Sequence, residues 1–285
     1  MINKQTKLFL SLWVFIAFFV SPACGQEPLT LGVHPFQSIS ILKQQFTPLT
    51  NYLTKKLGHK VELRVGTNYQ EHIDTVGQNQ IDIAYIGPVG YVQLTAQYGQ
   101  KKLIAVQEVE GKATFAGIIF ARSDSSLESL LDLTTGEIAF VEPHSTMGFI
   151  LPSYVILHEN PAIITQHRYQ FLKTHENVAL AVLSGDFVAG AVKENIFYEY
   201  QEKGLKKLAV TPEVAEHLFI ARADLPEKIL KKTRQAFLDL NNSSLGLSIM
   251  HAIKPTITQF NHIEDSDYNS LRAILAELKQ KGLTE

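Results

Sequence analysis

Between the apolar stretch Ile138–Val141 and a second one beginning at Phe149 lie His144, Ser145, Thr146, Met147 and Gly148. Two hydroxyls and a glycine at the mouth of a predicted helix suit one kind of chemistry, the holding of an anion. The first turn of a helix leaves N–H groups unpaired and carries partial positive charge, so it attracts anions without any lysine or arginine. Ser145 and Thr146 offer hydroxyls, Met147 and Gly148 offer amides, and Gly148 lets a ligand approach the backbone. Ser145 equally suits a plain N-cap, worth about 1 kcal/mol. The residues by themselves leave both roles open. Gly87-Pro88, after the apolar stretch Ile81–Ile86, is a second strand-to-helix switch of the same kind.

The histidines offer a different chemistry. Of the ten, His34, His144 and His175 lie near predicted strand ends, and Glu176 stands beside the last. Such residues can hold a metal if they converge. No His-x-His or His-Glu-x-x-His spacing supports that, and scattered histidines are commonly surface or hydrogen-bonded residues, so no metal and no cofactor is expected. Catalysis has less support still. There is no nucleophile elbow, no phosphate loop and no Gly-x-Gly-x-x-Gly after a strand, so the chain does not read as an enzyme.

The elements that must position these residues alternate between strand-like and helix-like patterns. Leu29–Val33, Val61–Val65 and Ile81–Ile86 read as strands. Helical spacing covers residues 40–57, ending at Gly58, then about 69–76, and from Val89 to about Tyr98. The second half repeats this grammar: strand 137–141, helix from about 147 to 158, strand 169–172, helix 175–184, strand 187–192, and helices near 226–240 and 268–281. Alternation of this kind calls for an α/β class with a mainly parallel sheet. One internal echo stands out. "IIFARSDSSLESLLDL" (118–133) resembles "LFIARADLPEKILKKT" (218–233). If these are paired crossing strands, the chain forms two lobes, a discontinuous one of residues 26–117 and 220–285 and an inserted one of 118–219, with a hinged cleft between them.

Composition narrows the classes. Lys4 and Lys7 precede an uncharged apolar run, Leu8 to Val20, and then Ser21-Pro22-Ala23-Cys24-Gly25. That is the pattern of a cleavable secretory signal over residues 1–25, with Ala23 and Gly25 at the −3 and −1 positions. A lipid anchor on Cys24 is the rival, but Ser21-Pro22 makes a poor lipobox. The sole cysteine and the sole tryptophan, Trp13, fall inside this segment. Cleavage after Gly25 would leave no disulfide and no thiol. The formal charge is −2 and turns more negative once Lys4 and Lys7 are removed. No basic run points to nucleic acid.

Taken together the chain resembles the periplasmic phosphate, phosphite and phosphonate-binding proteins of ABC transporters. The resemblance rests on "FTPLTNYLTKKLGHKVEL", "NYQEHIDTVGQNQIDIAYIGPVGYV", "DSSLESLLDLTTGEIAFVEPHSTMGFILPSYVIL" and "THENVALAVLSGDFVAGAV", in that order. It implies a type II periplasmic-binding-protein fold, two lobes each with a mainly parallel sheet flanked by helices, joined by two hinge strands. It implies a periplasmic monomer that captures a small oxyanion and presents it to a membrane permease. A sensor that signals instead to a membrane histidine kinase or cyclase is the alternative. The residues implied for the anion are Tyr69, from an Asp-Tyr pair that reads Asn68-Tyr69 here, Ser145, Thr146 and Gly148 from a Ser-Thr-Ser-Gly turn, and His175 from a Gly-His-Glu motif.

Three departures from the family pattern matter. Met147 replaces the third turn residue and Phe115 replaces a hinge tyrosine, so two hydroxyl donors are lost. Asn195 and His217 stand where amine-holding members have acids, which disfavours an aminoalkyl phosphonate and favours a smaller or differently charged oxyanion. His144, His217 or water are the candidate replacement donors, with Tyr85, Glu176 and Asn195 as further secondary residues. An unpaired buried polar group costs about 1–3 kcal/mol, so the missing hydroxyls should be felt.

Overall fold

The computed structural model describes residues 27–166 and 168–284; the expected signal segment and Cys24 lie outside them. The chain begins with β1 (Leu29–Val33), α1 (Ile39–Leu57), β2 (Val61–Val65), α2 (Tyr69–Gly77), β3 (Ile83–Ile86), α3 (Pro88–Tyr98) and β4 (Lys102–Val109). A short β5 (Thr114–Phe115) leads into β6 (Gly117–Arg122) and β7 (Ile138–Phe140). There follow a π-turn at Thr146–Ile150, α4 (Leu151–Glu159), α5 (Ala162–Thr165), β8 (Tyr169–Phe171), α6 (His175–Ser184), β9 (Ala189–Lys193), α7 (Glu194–Gln201) and β10 (Leu205–Val210). The chain closes with β11 (Val214–Ala215), β12 (Leu218–Ala221), α8 (Glu227–Leu240), α9 (Ser244–Ile253), β13 (Ile257–Asn261) and α10 (Asn269–Gln280). Among the described residues no helix is long and apolar enough to cross a membrane.

Two sheets share one pattern. The first runs β2-β1-β3-β12-β4-β13 and the second β8-β7-β9-β6-β10. In each, three parallel strands lie side by side, and the third pairs with an antiparallel newcomer, β12 in one sheet and β6 in the other. These newcomers are the two echoing segments. They do not pair with each other, as the sequence suggested. The crossing pair lies just before them, where Phe115 faces Val214 and Thr114 faces Ala215. Each segment leaves that ribbon and enters the opposite sheet. Each ends on the same Ala-Arg-x-Asp turn, Arg222 pairing with Asp224 at 2.7 Å and Arg122 Nε with Asp124 at 2.9 Å.

The helices that face the cleft start where their sequences say they must. Asn68 caps α2 by accepting the Glu71 N–H at 2.8 Å, Pro88 opens α3 without needing a donor, and Thr174 caps α6 by accepting the Asn177 N–H at 3.2 Å. The expected helix from residue 147 instead opens with the π-turn, because Ser145 C=O accepts from both Phe149 and Ile150. Pro152 has no N–H to return to the Gly148 carbonyl, which accepts the Val141 N–H at 3.0 Å instead. That bond ties the turn to the end of β7.

Elements absent from the sequence reading include α7, α9, β4, β10 and β13. A contiguous apolar cluster crosses the interlobe boundary, running from Ile73, Val89 and Tyr91 to Met147, Phe149 and Ile150.

The position of α6 depends on Gly190 in β9. A β-carbon there would lie 2.8 Å from Val178 Cγ1 and 2.9 Å from Val182 Cγ2. Gly190→Ala should therefore push α6 off the sheet and destabilise the protein by about 1–3 kcal/mol. A melting curve should shift down by roughly 3–10 °C, since 1 kcal/mol moves a chain of this size by about 2–4 °C. An unchanged melting temperature would contradict the close packing.

Candidate functional site

Four helix amino ends meet in one small seat between the sheets. Its walls include Tyr69, the first residue of α2; Gly87, the residue before α3; Ser145 and Thr146 at the π-turn; and His175, the first residue of α6. His34, Phe115, Met147, Lys193 and His217 complete it. No acidic side chain faces it. Ser145 and His175 are 2% and 4% exposed, so these polar groups are withdrawn from solvent. Convergent helix amino ends, hydroxyls and imidazoles with no carboxylate in the wall make a place for a negative charge.

Hydrogen bonds across the cleft hold the seat shut. Thr146 Oγ1 accepts the Val89 N–H of α3 at 3.1 Å, and Glu142 accepts the Tyr69 N–H at 3.2 Å. The Ser145 hydroxyl stands beside that of Tyr69 and favours its ionised form against burial. At the rim His144 Nδ1 meets Gln93 Oε1 at 2.9 Å. The seat encloses about 20 Å³, little more than one water needs. A tetrahedral oxyanion can enter only if these contacts part.

The placement of the expected residues is uneven. Tyr69, Phe115, Ser145, Thr146, Met147, His175 and His217 all line the seat. Ser145 lines the seat, and its hydroxyl caps the turn by accepting the Gly148 N–H at 3.1 Å. Gly148 does not serve ligand approach: its amide is taken by that cap, and a β-carbon would stand 2.3 Å from Val141 Cγ2. It is small because the turn presses on β7. Met147 turns its sulfur toward the Thr211 hydroxyl at 3.5 Å.

The secondary residues spread outward. His144 stays at the rim beside Gln93, and Glu176 is exposed and accepts from the Tyr200 hydroxyl at 3.3 Å. His34, His144 and His175 therefore do not gather with Glu176. Among the described residues no three His, Cys, Asp or Glu side chains form a metal-holding group. Tyr85 and Asn195 line a neighbouring chamber. The Tyr85 ring stacks against His34 at 5.5 Å and His217 at 5.3 Å, and its hydroxyl donates to Gln107 Oε1 at 3.0 Å.

Two residues were missed by the sequence reading. Lys193 ends β9, and its position at the carboxyl end of a strand was a usable signal. Its ammonium lies 4.4 Å from the Phe36 ring centroid, and burial pushes it down to about 7. Glu216, 1% exposed, accepts from Gln107 Nε2 at 2.9 Å and from the His217 backbone and Nδ1, both at 2.8 Å. Burial works against its charge, but the His217 hydrogen bonds and Lys254 carry its carboxyl down to about 2. No local pattern around Glu216 marks it.

The imidazoles are set by their partners. The Lys193 N–H donates to His175 Nδ1 at 3.3 Å, so a neutral His175 carries its proton on Nε2. His217 gives its Nδ1 proton to Glu216, leaving Nε2 bare beside Gly87 and Thr146. Burial lowers the pKa of His217, and lowers those of His34 and His175 well below the ordinary value. A bare nitrogen repels an oxyanion, so an anion there should bring a proton to His217 or carry one itself. Lys193, half-charged near neutrality, should also be driven to its protonated form. Both responses make the complex bind more protons than the free protein, so affinity rises as pH falls from about 8.5 to 6, by up to about tenfold per unit for each proton. Titration calorimetry in buffers of differing ionisation heat should read net proton uptake, reduced in His217→Gln. Affinity that grows with pH would contradict this.

The comparisons with known proteins agree on one family. Residues 31–268 match the model of the ABC transporter phosphonate periplasmic substrate-binding proteins. The chain is 28% identical over 229 residues to the phosphate-import protein PhnD of Mycolicibacterium smegmatis, covering 74% of this chain and 71% of that one. It is 24% identical to a probable phosphite-binding protein of Prochlorococcus marinus over 98% and 95% of the two chains. The structure of a Prochlorococcus marinus protein in complex with methylphosphonate superposes with a TM-score of 0.79 at 21% identity, over 88% of this chain and 98% of that one. A histidine kinase sensor domain shares the fold more distantly, with a TM-score of 0.56 at 15% identity over 82% and 98%. With the family model spanning both sheets and the cleft between them, the chain belongs to the periplasmic substrate-binding proteins of phosphonate ABC transporters, which bind and deliver a solute and are not enzymes.

Proposed function

We propose that the protein captures a small oxyanion of the phosphonate, phosphite or phosphate type in the seat between its lobes and delivers it to the transporter's membrane permease. The lobes in this reading are residues 26–117 with 220–285, and residues 118–219, moving about the ribbon at Phe115 and Val214. The observation that carries it is the convergence of four helix amino ends on a buried seat with no acid in its wall. Tyr69 and Gly87 contribute from one lobe, and Ser145, Thr146 and His175 from the other. His175 Nε2 and Lys193 stand in for the donors that Phe115 and Met147 lack. A ligand favours closure only through contacts it makes with both lobes at once. The leader of residues 1–25 carries the chain out of the cytoplasm, with cleavage after Gly25, and the mature protein acts as a monomer.

A thermal-shift series with phosphate, phosphite, methylphosphonate and sulfate tests the assignment. A ligand at 100 times its dissociation constant stabilises by about 2.7 kcal/mol, or roughly 5–10 °C here. Ser145→Ala and His175→Ala should each remove most of that shift. If both variants respond like the wild type, the seat is elsewhere.

A further inference from the structure

Beside the seat lies a chamber of about 190 Å³ that shares Phe115, Lys193 and His217 with it. An anion held at the helix ends would therefore point any substituent into this chamber. Its charges are unevenly committed. Glu216 is spent on Gln107 and His217, with Lys254 3.7 Å from its other oxygen. Glu199 is exposed at the mouth. Lys193 has the Phe36 ring beneath it and, among the described residues, no carboxylate within ion-pairing distance. Gln37 and Gln45 each carry a buried side-chain oxygen without a partner, on amides that can turn to present N–H.

An apolar substituent would leave these groups unsatisfied, at about 1–3 kcal/mol for each buried one. An amine would sit against the Lys193 ammonium. A carboxylate would pair with it and accept from the glutamine amides.

We infer that the preferred ligand is a phosphonate bearing a second acid group on a short arm, its phosphonate in the seat and its carboxylate in the chamber against Lys193 and Lys254. This rests on the oxyanion reading above and adds the class of substituent to it. An ammonium that touches both compartments is what joins the two anionic ends.

Calorimetry with methylphosphonate, phosphonoacetate, 3-phosphonopropionate and 2-aminoethylphosphonate separates the possibilities. One of the two carboxylated probes should bind about tenfold or more tightly than methylphosphonate, as one charge-assisted hydrogen bond would provide, and the amine more weakly. Lys193→Met should bring the carboxylated and methyl probes to nearly equal affinity, while Lys193→Arg keeps the preference. If methylphosphonate binds and neither carboxylated probe exceeds it, or the amine binds best, this inference falls and the oxyanion reading stands. If none of the four binds, this inference falls, and the phosphate and phosphite arms of the thermal-shift series decide the oxyanion reading.

Discussion

The proposed seat depends on one constraint, the holding of a buried anion with very little formal charge. A lysine-lined pocket would attract any anion but would bury charges that need pairing when it is empty. Helix ends avoid this, because their N–H groups carry only partial charge and can be satisfied by side-chain oxygens in the meantime. Thr146 does so for the amino end of α3, and Glu142 does so for the first amide of α2. The same atoms that would meet an anion thus close the cleft on themselves.

Burial then sets the state of the groups around the seat. His34, His175 and His217 are held neutral because burial disfavours their charged forms, and Lys193 is brought near the middle of its titration. A wall built this way responds to the charge placed in it, since a nearby anion favours the protonated forms that burial opposes. Glu216 supports the arrangement from behind by fixing which nitrogen of His217 carries a proton. The seat and the chamber are therefore one electrostatic system, joined through Lys193 and His217.

The likeness between segments 118–133 and 218–233 has a structural reason. Both strands leave the Phe115–Val214 ribbon, both add antiparallel to a trio of parallel strands, and both finish on an Arg–Asp turn. A short ribbon with one sheet hung from each side is a natural hinge, since few bonds must bend for the lobes to part. Phe115 sits on that ribbon and also walls the seat, so the ribbon and the proposed ligand seat share a residue.

What the amino-acid sequence determined by itself was the local part. Apolar runs ending at Gly87-Pro88 and His144-Ser145, the caps at Asn68 and Thr174, and the Gly58 stop each follow from interactions within a few residues. They fixed where helices begin, and so which residues could face a ligand. The tertiary structure decided what a short window cannot contain. It placed the crossing pair one step ahead of the echoing segments, turned Gly148 to Val141 instead of to a ligand, and sent His144 to the rim and Glu176 to solvent. It also brought Lys193 and Glu216 to the cleft across long stretches of chain. Their roles come from burial and from partners far away in sequence, and such effects leave no periodic trace to read.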